Sequence, residues 1–191
     1  MKGSPDMSWQ VNHLLCLLFH GRMKEDRLIL VDRNGRKTGE GNKTKVHRKG
    51  QLHRAFSIFL YNKEGEMLLQ RRAGTKYHFA GLWSNACCSH PRPGEKTISA
   101  AHRRLMEELG ISSKLEKRRH VLYRFYDQVS GLTEHEYDFI FTGEFDGFVP
   151  FNEEEVSEVR WISSQQLKAE LKRNPEKFTP WFKEILRQIS L

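Results

Sequence analysis

Apolar positions along this chain fall into short, punctuated runs. Residues 28–31 (LILV) lead into Asp32-Arg33-Asn34-Gly35, which predicts a strand entering a hairpin. Residues 36–54 follow with seven Lys/Arg, one acid (Glu40), three glycines and no apolar periodicity, and read as a basic loop. Residues 54–61 (RAFSIFLY) and 67–71 are short apolar runs separated by Asn62-Lys63-Glu64-Gly65, the pattern of two antiparallel strands. Residues 80–95 carry Gly and Pro at irregular intervals and match neither period. From 97 to 109 the positions Ile98, Ala101, Leu105 and Leu109 recur three and four apart, and Gly110 follows as a stop, so a helix is expected there. Residues 120–129 and 136–145 read as strands, the second alternating Tyr137, Phe139 and Phe141 with Asp138 and Thr142, and 159–162 as a third. Ser163 or Ser164 is placed to cap a helix through Lys172, and Thr179-Pro180 to open a last helix toward Ile189. Strands first, one amphipathic helix in the middle and helices at the end predict an α/β or α+β domain, a mixed sheet layered with helices.

Length and composition narrow the classes. The 191 residues suit one domain, and 12 Phe, 4 Trp and 5 Tyr supply a core that a disordered chain lacks. Residues 1–22 differ from the rest and read as an N-terminal extension to a single domain at 23–191. Their apolar stretch, Leu14 to Phe19, is too short for the ~20 residues of a membrane span and has no signal-peptide cleavage pattern, so a cytoplasmic protein is expected. Three cysteines, two of them adjacent, cannot form a disulfide framework. A net charge of +8 asks for an anionic partner without saying which. The basic segment lacks interleaved aromatics and any nucleic-acid-binding motif.

On the predicted central helix, Arg103/Glu107 and Arg104/Glu108 are spaced as i,i+4 ion pairs on a solvated face. A Gly/Pro-rich loop precedes them, and the longer pattern resembles the Nudix box, G-x5-E-x7-R-E-U-x-E-E-x-G-U. Glu95, Arg103, Leu105, Glu107, Glu108, Gly110 and Ile111 fall on it, while Ser89 replaces the opening Gly and Arg104 replaces a Glu. A guanidinium where hydrolases keep a metal-binding carboxylate argues against water activation. Just upstream, residues 83–91 read W-x-N-x-x-C-x-H-P. With 52–57 (LHRAFS) and 133–136 (TEHE), this resembles type I isopentenyl diphosphate isomerase.

That resemblance implies a Nudix-type fold and transposition of a double bond in a small diphosphate. It implies Cys88, not Cys87, and Glu136 as the acid/base pair, without deciding which protonates. It implies an active-site tyrosine, Tyr123 in preference to Tyr126, and Trp181 as the aromatic facing a carbocation. It implies a metal site of His47, His53, His90, Glu134 and Glu136 holding Mn²⁺ or Zn²⁺. A Mg²⁺ is expected to reach the diphosphate through Glu108 and the Cys88 carbonyl. Lys43, Arg72, Lys76 and Arg104 are the implied diphosphate ligands. A monomer acting on a small molecule, with neither nucleic acid nor membrane as partner, is the resulting expectation; a Nudix hydrolase of a nucleoside diphosphate derivative is the alternative.

Overall fold

A computed structural model describes residues 26–76 and 78–189. The extension expected at 1–22 lies outside them. Strand β1 (Arg27–Val31) turns back into β2 (Lys37–Asn42). The turn is closed by Asp32, whose carboxylate accepts from the backbone N–H groups of Asn34 and Arg36, each at 2.9 Å. Helix α1 (Lys43–Lys49) follows at once, capped by the Asn42 side chain on the Lys45 N–H and ended by Gly50 in the left-handed region at φ 59°. The segment expected to be a basic loop is therefore a strand and a helix. Its regularity was hidden because β2 is an edge strand held by backbone pairing with no buried row of its own, and α1 is only seven residues long with Val46 and His47 as its buried positions.

Strand β3 (His53–Tyr61) is the spine. It pairs in parallel with β8 (Leu132–Glu144) over nine positions, while its other edge is shared by β1, β6 (Cys87–Ser89) and β4 (Met67–Arg72). β4 carries β5 (Trp83–Asn85) and β9 (Val156–Ile162), and β7 (Glu116–Asp127) forms an outer edge against β8. The irregular 80–95 stretch thus holds two three-residue strands, too short to show a period. β7 starts before its expected limit because residues 116–120, all exposed, are paired through backbone alone.

β3 is buried along both faces, as its near-continuous apolar run requires. On one side Phe56, Ile58 and Leu60 pack with Ala101, Leu105 and Leu109 of α2 (Thr97–Leu109), which ends at Gly110, φ 65°, as the periodicity predicts. On the other, Phe59 and Ile140 pack with Leu167 of α3 (Ser164–Arg173) and Phe182 and Ile185 of α4 (Pro180–Ile189). Ser163, not Ser164, caps α3, in a capping box with Gln166. Among the described residues no helix is long and apolar enough to cross a membrane.

Candidate active site

Strand register assembles the site. β8 lies on β3 so that Glu136 stands beside His53, and β7 lies on β8 so that Tyr123 flanks Glu136 on the other side. Side chains alternate along a strand, so Glu134, Glu136 and Asp138 leave the same face of β8. On β6 the same alternation separates the two thiols. Cys87 is sealed in the core under α2, while Cys88, opposite Ser57 of β3, opens into a cleft. Every predicted site residue except His47 and His53 lines that cleft, and these two are fully buried.

His47, His53, His90, Glu134 and Glu136 bring their ligand atoms within 4.8 Å of one another, the width of a coordination sphere with bonds of ~2.1 Å. His47 and His53 each direct Nδ1 to a backbone carbonyl, of Lys43 at 2.8 Å and Gln51 at 2.9 Å. Nδ1 carries a proton in both rings, and Nε2 turns inward, a lone pair when the imidazole is neutral and a donor to the carboxylates when it is protonated. His53 Nε2 then stands 3.2 Å from His90 Nε2, 3.4 Å from Glu136 Oε1 and 3.9 Å from Glu134 Oε2, and His47 Nε2 stands 3.2 Å from Glu134 Oε2. With the imidazoles neutral, their lone pairs and the two buried carboxylates face one point, a donor set that fits a divalent metal. Burial and the neighbouring Glu136 act to raise the Glu134 pKa, but hydrogen bonds from His47 and His78 outweigh them and hold it down at about 2. Glu136 is likewise held low against its burial, chiefly by His53. Burial, with His53 close by, keeps His90 well below its usual value and so neutral, as a ligand must be.

Tyr123 donates to Glu136 and also lies 3.4 Å from Asp138, whereas Tyr126 is 61% exposed and faces away. Cys88 donates through Sγ to Asn85 Oδ1 at 3.0 Å, and burial, reinforced by Asp138, pushes its thiol up to about 12. Trp181 is buried, with the Arg72 guanidinium 5.3 Å from its ring centroid and Phe79 packed edge-on.

At the other end of the cleft Arg104 grips Glu108 (2.7 and 3.2 Å), Glu107 (2.8 Å) and Glu155 (3.0 Å). Lys76 bonds the second oxygen of Glu155, and burial lowers its pKa to about 8. Burial likewise lowers Lys43. Glu108 is a single buried carboxylate already engaged by a guanidinium. Alone, it offers a divalent cation one ligand and not a protein cage.

A family model for the NUDIX domain matches residues 51–182. The isopentenyl-diphosphate Delta-isomerase of Serratia proteamaculans is 49% identical over 86% of this chain and 92% of its own length. The chain belongs to the Nudix isopentenyl-diphosphate Delta-isomerase family. The isopentenyl-diphosphate Delta-isomerase 2 of Photorhabdus laumondii is also similar, at 45% identity over 87% of this chain and 93% of that protein. A crystal structure of a Deinococcus radiodurans protein superimposes with a TM-score of 0.70 at 20% identity, covering 86% of this chain and 99% of that one. The MutT protein of Methanosarcina mazei gives 0.59 at 20% identity, covering 72% and 91%. These two likenesses establish the shared Nudix fold, an α+β layering around a mixed sheet.

Within this isomerase family member, several polar residues of the cleft and its walls were not signalled by sequence. His78 bonds Glu134, Glu155 bridges Lys76 and Arg104, and Asp138, fully buried, accepts from Ser57 at 2.8 Å. Asp138 carried the one available signal, since it continues the i, i+2 carboxylate series of Glu134 and Glu136 along a strand.

Proposed function

We propose that the protein interconverts isopentenyl diphosphate and dimethylallyl diphosphate, with Cys88 and Glu136 as the acid/base pair. The observation that carries this reading is a thiol and a carboxylate opening into one cleft whose far end is a cationic cradle. Moving a double bond requires adding a proton at one carbon and removing another from the carbon nearer the diphosphate, with no bond to phosphorus broken. One of the pair gives a proton and the other takes one, and the roles exchange when the reaction runs backwards. Tyr123, hydrogen-bonded to Glu136, orients that carboxylate and extends its path for the proton. Trp181, backed edge-on by Phe79, gives the cleft apolar surface that keeps water from a cationic intermediate, and the indole face adds on the order of 2 kcal/mol of cation attraction when desolvated.

Lys43, Arg72, Lys76 and Arg104 bind and orient the diphosphate so that the alkene lies between the thiol and the carboxylate. Mn²⁺ or Zn²⁺ on the His/Glu set would supply fixed positive charge that keeps Glu136 ionised, and Mg²⁺ at Glu108 would neutralise diphosphate charge. A hydrolase of the same fold keeps a further carboxylate where Arg104 stands, and a guanidinium in that place, 2.7 Å from Glu108, supports isomerisation instead. A thiol that must stay reduced supports a cytoplasmic setting.

The test is incubation with isopentenyl diphosphate and Mg²⁺ followed by mass spectrometry and product identification. A product of unchanged mass and altered double-bond position is expected. Release of phosphate or pyrophosphate with uptake of water would replace this reading with hydrolysis.

A further inference from the structure

The string W-x-N-x-x-C-x-H-P contains an asparagine that neither the metal set nor the acid/base pair uses. Asn85 is fully buried on β5, and its surroundings dictate how its amide points. Nδ2 donates to the carbonyls of Ile58 and Cys87, both at 3.0 Å. Both amide hydrogens are thereby consumed, and Oδ1 faces the cleft wall as a pure acceptor. It receives Cys88 Sγ at 3.0 Å and Ser84 Oγ at 3.1 Å. Ser84 in turn accepts from Trp181 Nε1 at 3.1 Å and lies 3.1 Å from Thr179 Oγ1. Since the single Ser84 hydrogen goes to Asn85, Thr179 is the donor of that last pair. Ser57 bounds the opposite side of the thiol, 3.3 Å from Sγ, with its own hydrogen given to Asp138 at 2.8 Å.

These bonds form one connected network that converges on Asn85 Oδ1, from the Trp181 ring through Ser84 on one side and from the Cys88 thiol on the other. We propose that Asn85 is a positioning residue for the isomerisation: it sets the direction of the Cys88 S–H bond and, through Ser84, fixes the thiol relative to the Trp181 ring. The proposal rests on the isomerase reading above. Its physical logic is pre-organisation, since a thiol whose hydrogen has one defined partner starts each turnover from one geometry. It also explains the residue type. Aspartate at position 85 would turn an oxygen toward the Ile58 and Cys87 carbonyls, where only a two-hydrogen donor fits.

The experiment uses the full chain loaded with its metals, with wild-type conversion of isopentenyl diphosphate measured first. Asn85→Ala is expected to lower kcat by about 10²-fold, with KM and the affinity for inorganic pyrophosphate unchanged. The Trp181 indole N–H resonance, assigned as the one lost in Trp181→Phe, is expected to move in Ser84→Ala and also in Asn85→Ala, although Asn85 does not touch the ring. Ser84→Ala is expected to lower kcat as well, and the two effects are expected to be non-additive in the double variant. Retained kcat in Asn85→Ala, a loss confined to KM or pyrophosphate affinity, or an unmoved indole resonance would overturn the proposal. If Asn85→Ala does not fold, Ser84→Ala decides, and full activity there with an unmoved resonance overturns it. An inactive wild type would instead remove the isomerase reading, while the resonance shifts still report whether the chain of bonds exists.

Discussion

Two neighbouring cysteines meet opposite fates at the residue scale, and the cause is strand alternation. Cys87 sits in the α2 core with burial raising its pKa, so it acts as a small hydrophobe, whereas Cys88 reaches the cleft. Cys88→Ala is expected to lower turnover by ~10²- to 10⁴-fold. Cys87→Ala is expected to leave turnover near wild type and lose on the order of 1 kcal/mol in a denaturant melt. Equal activity losses would assign the wrong thiol to the chemistry. Lys76 offers a pH test. Its pKa of about 8, lowered by burial, means that it carries charge below pH 8 and loses it as pH rises. The cradle then weakens, so kcat/KM, which reports the free enzyme, is expected to fall above about pH 8. Lys76→Arg, charged throughout, is expected to flatten that fall, and an unchanged pH profile in this variant would show that another group titrates.

At the scale of elements, α1 shows how a short helix serves a site it does not resemble in sequence. Its seven residues hold His47 against Glu134, and its exit depends on Gly50 at φ 59°. A Cβ at that position would lie 3.1 Å from Arg124 Nη2 and 3.3 Å from Thr133 Cγ2 in a conformation that disfavours L residues. Gly50→Ala is therefore expected to destabilise the fold by ~1–2 kcal/mol and to weaken metal binding, because the helix end carrying His47 must shift. Calorimetry paired with a Zn²⁺ titration checks both. A loss of stability with unaltered metal affinity would detach α1 from the metal site.

Across the whole molecule, the five-residue metal set ties together α1, β3 and β8 with His90, just past the end of β6. Because the five residues are spread from position 47 to 136, a metal held by them would add to folding stability. Chelation is expected to lower Tm, and restoring Zn²⁺ or Mn²⁺ at 100 times Kd to return about 2.7 kcal/mol. Mg²⁺ without a diphosphate is expected to leave Tm unmoved, because Glu108 alone is a poor cage for it. Elemental analysis of the same samples checks occupancy. A Tm indifferent to chelation while the metal is shown to leave would mean that the set is pre-formed without it.

What the sequence determined by itself was the longer strands, the central helix to its last residue, and the layered α+β class. Those follow from local information: apolar spacing, caps and glycine stops. Tertiary structure alone decided that Tyr123, and not Tyr126, meets Glu136, since only the β7–β8 register says which tyrosine faces inward. It alone turned the basic stretch at 36–54 into β2 and α1, because their regularity comes from pairing and capping partners rather than from a repeating apolar position. And it alone recruited His78 and Glu155 and gave Asp138 and Asn85 their partners, since the meaning of each lies in what the fold brings within 3.5 Å of it. Local periodicity is written along the chain, whereas a hydrogen-bond partner tens of residues away is selected by strand register and helix packing, which exist only after the chain has folded.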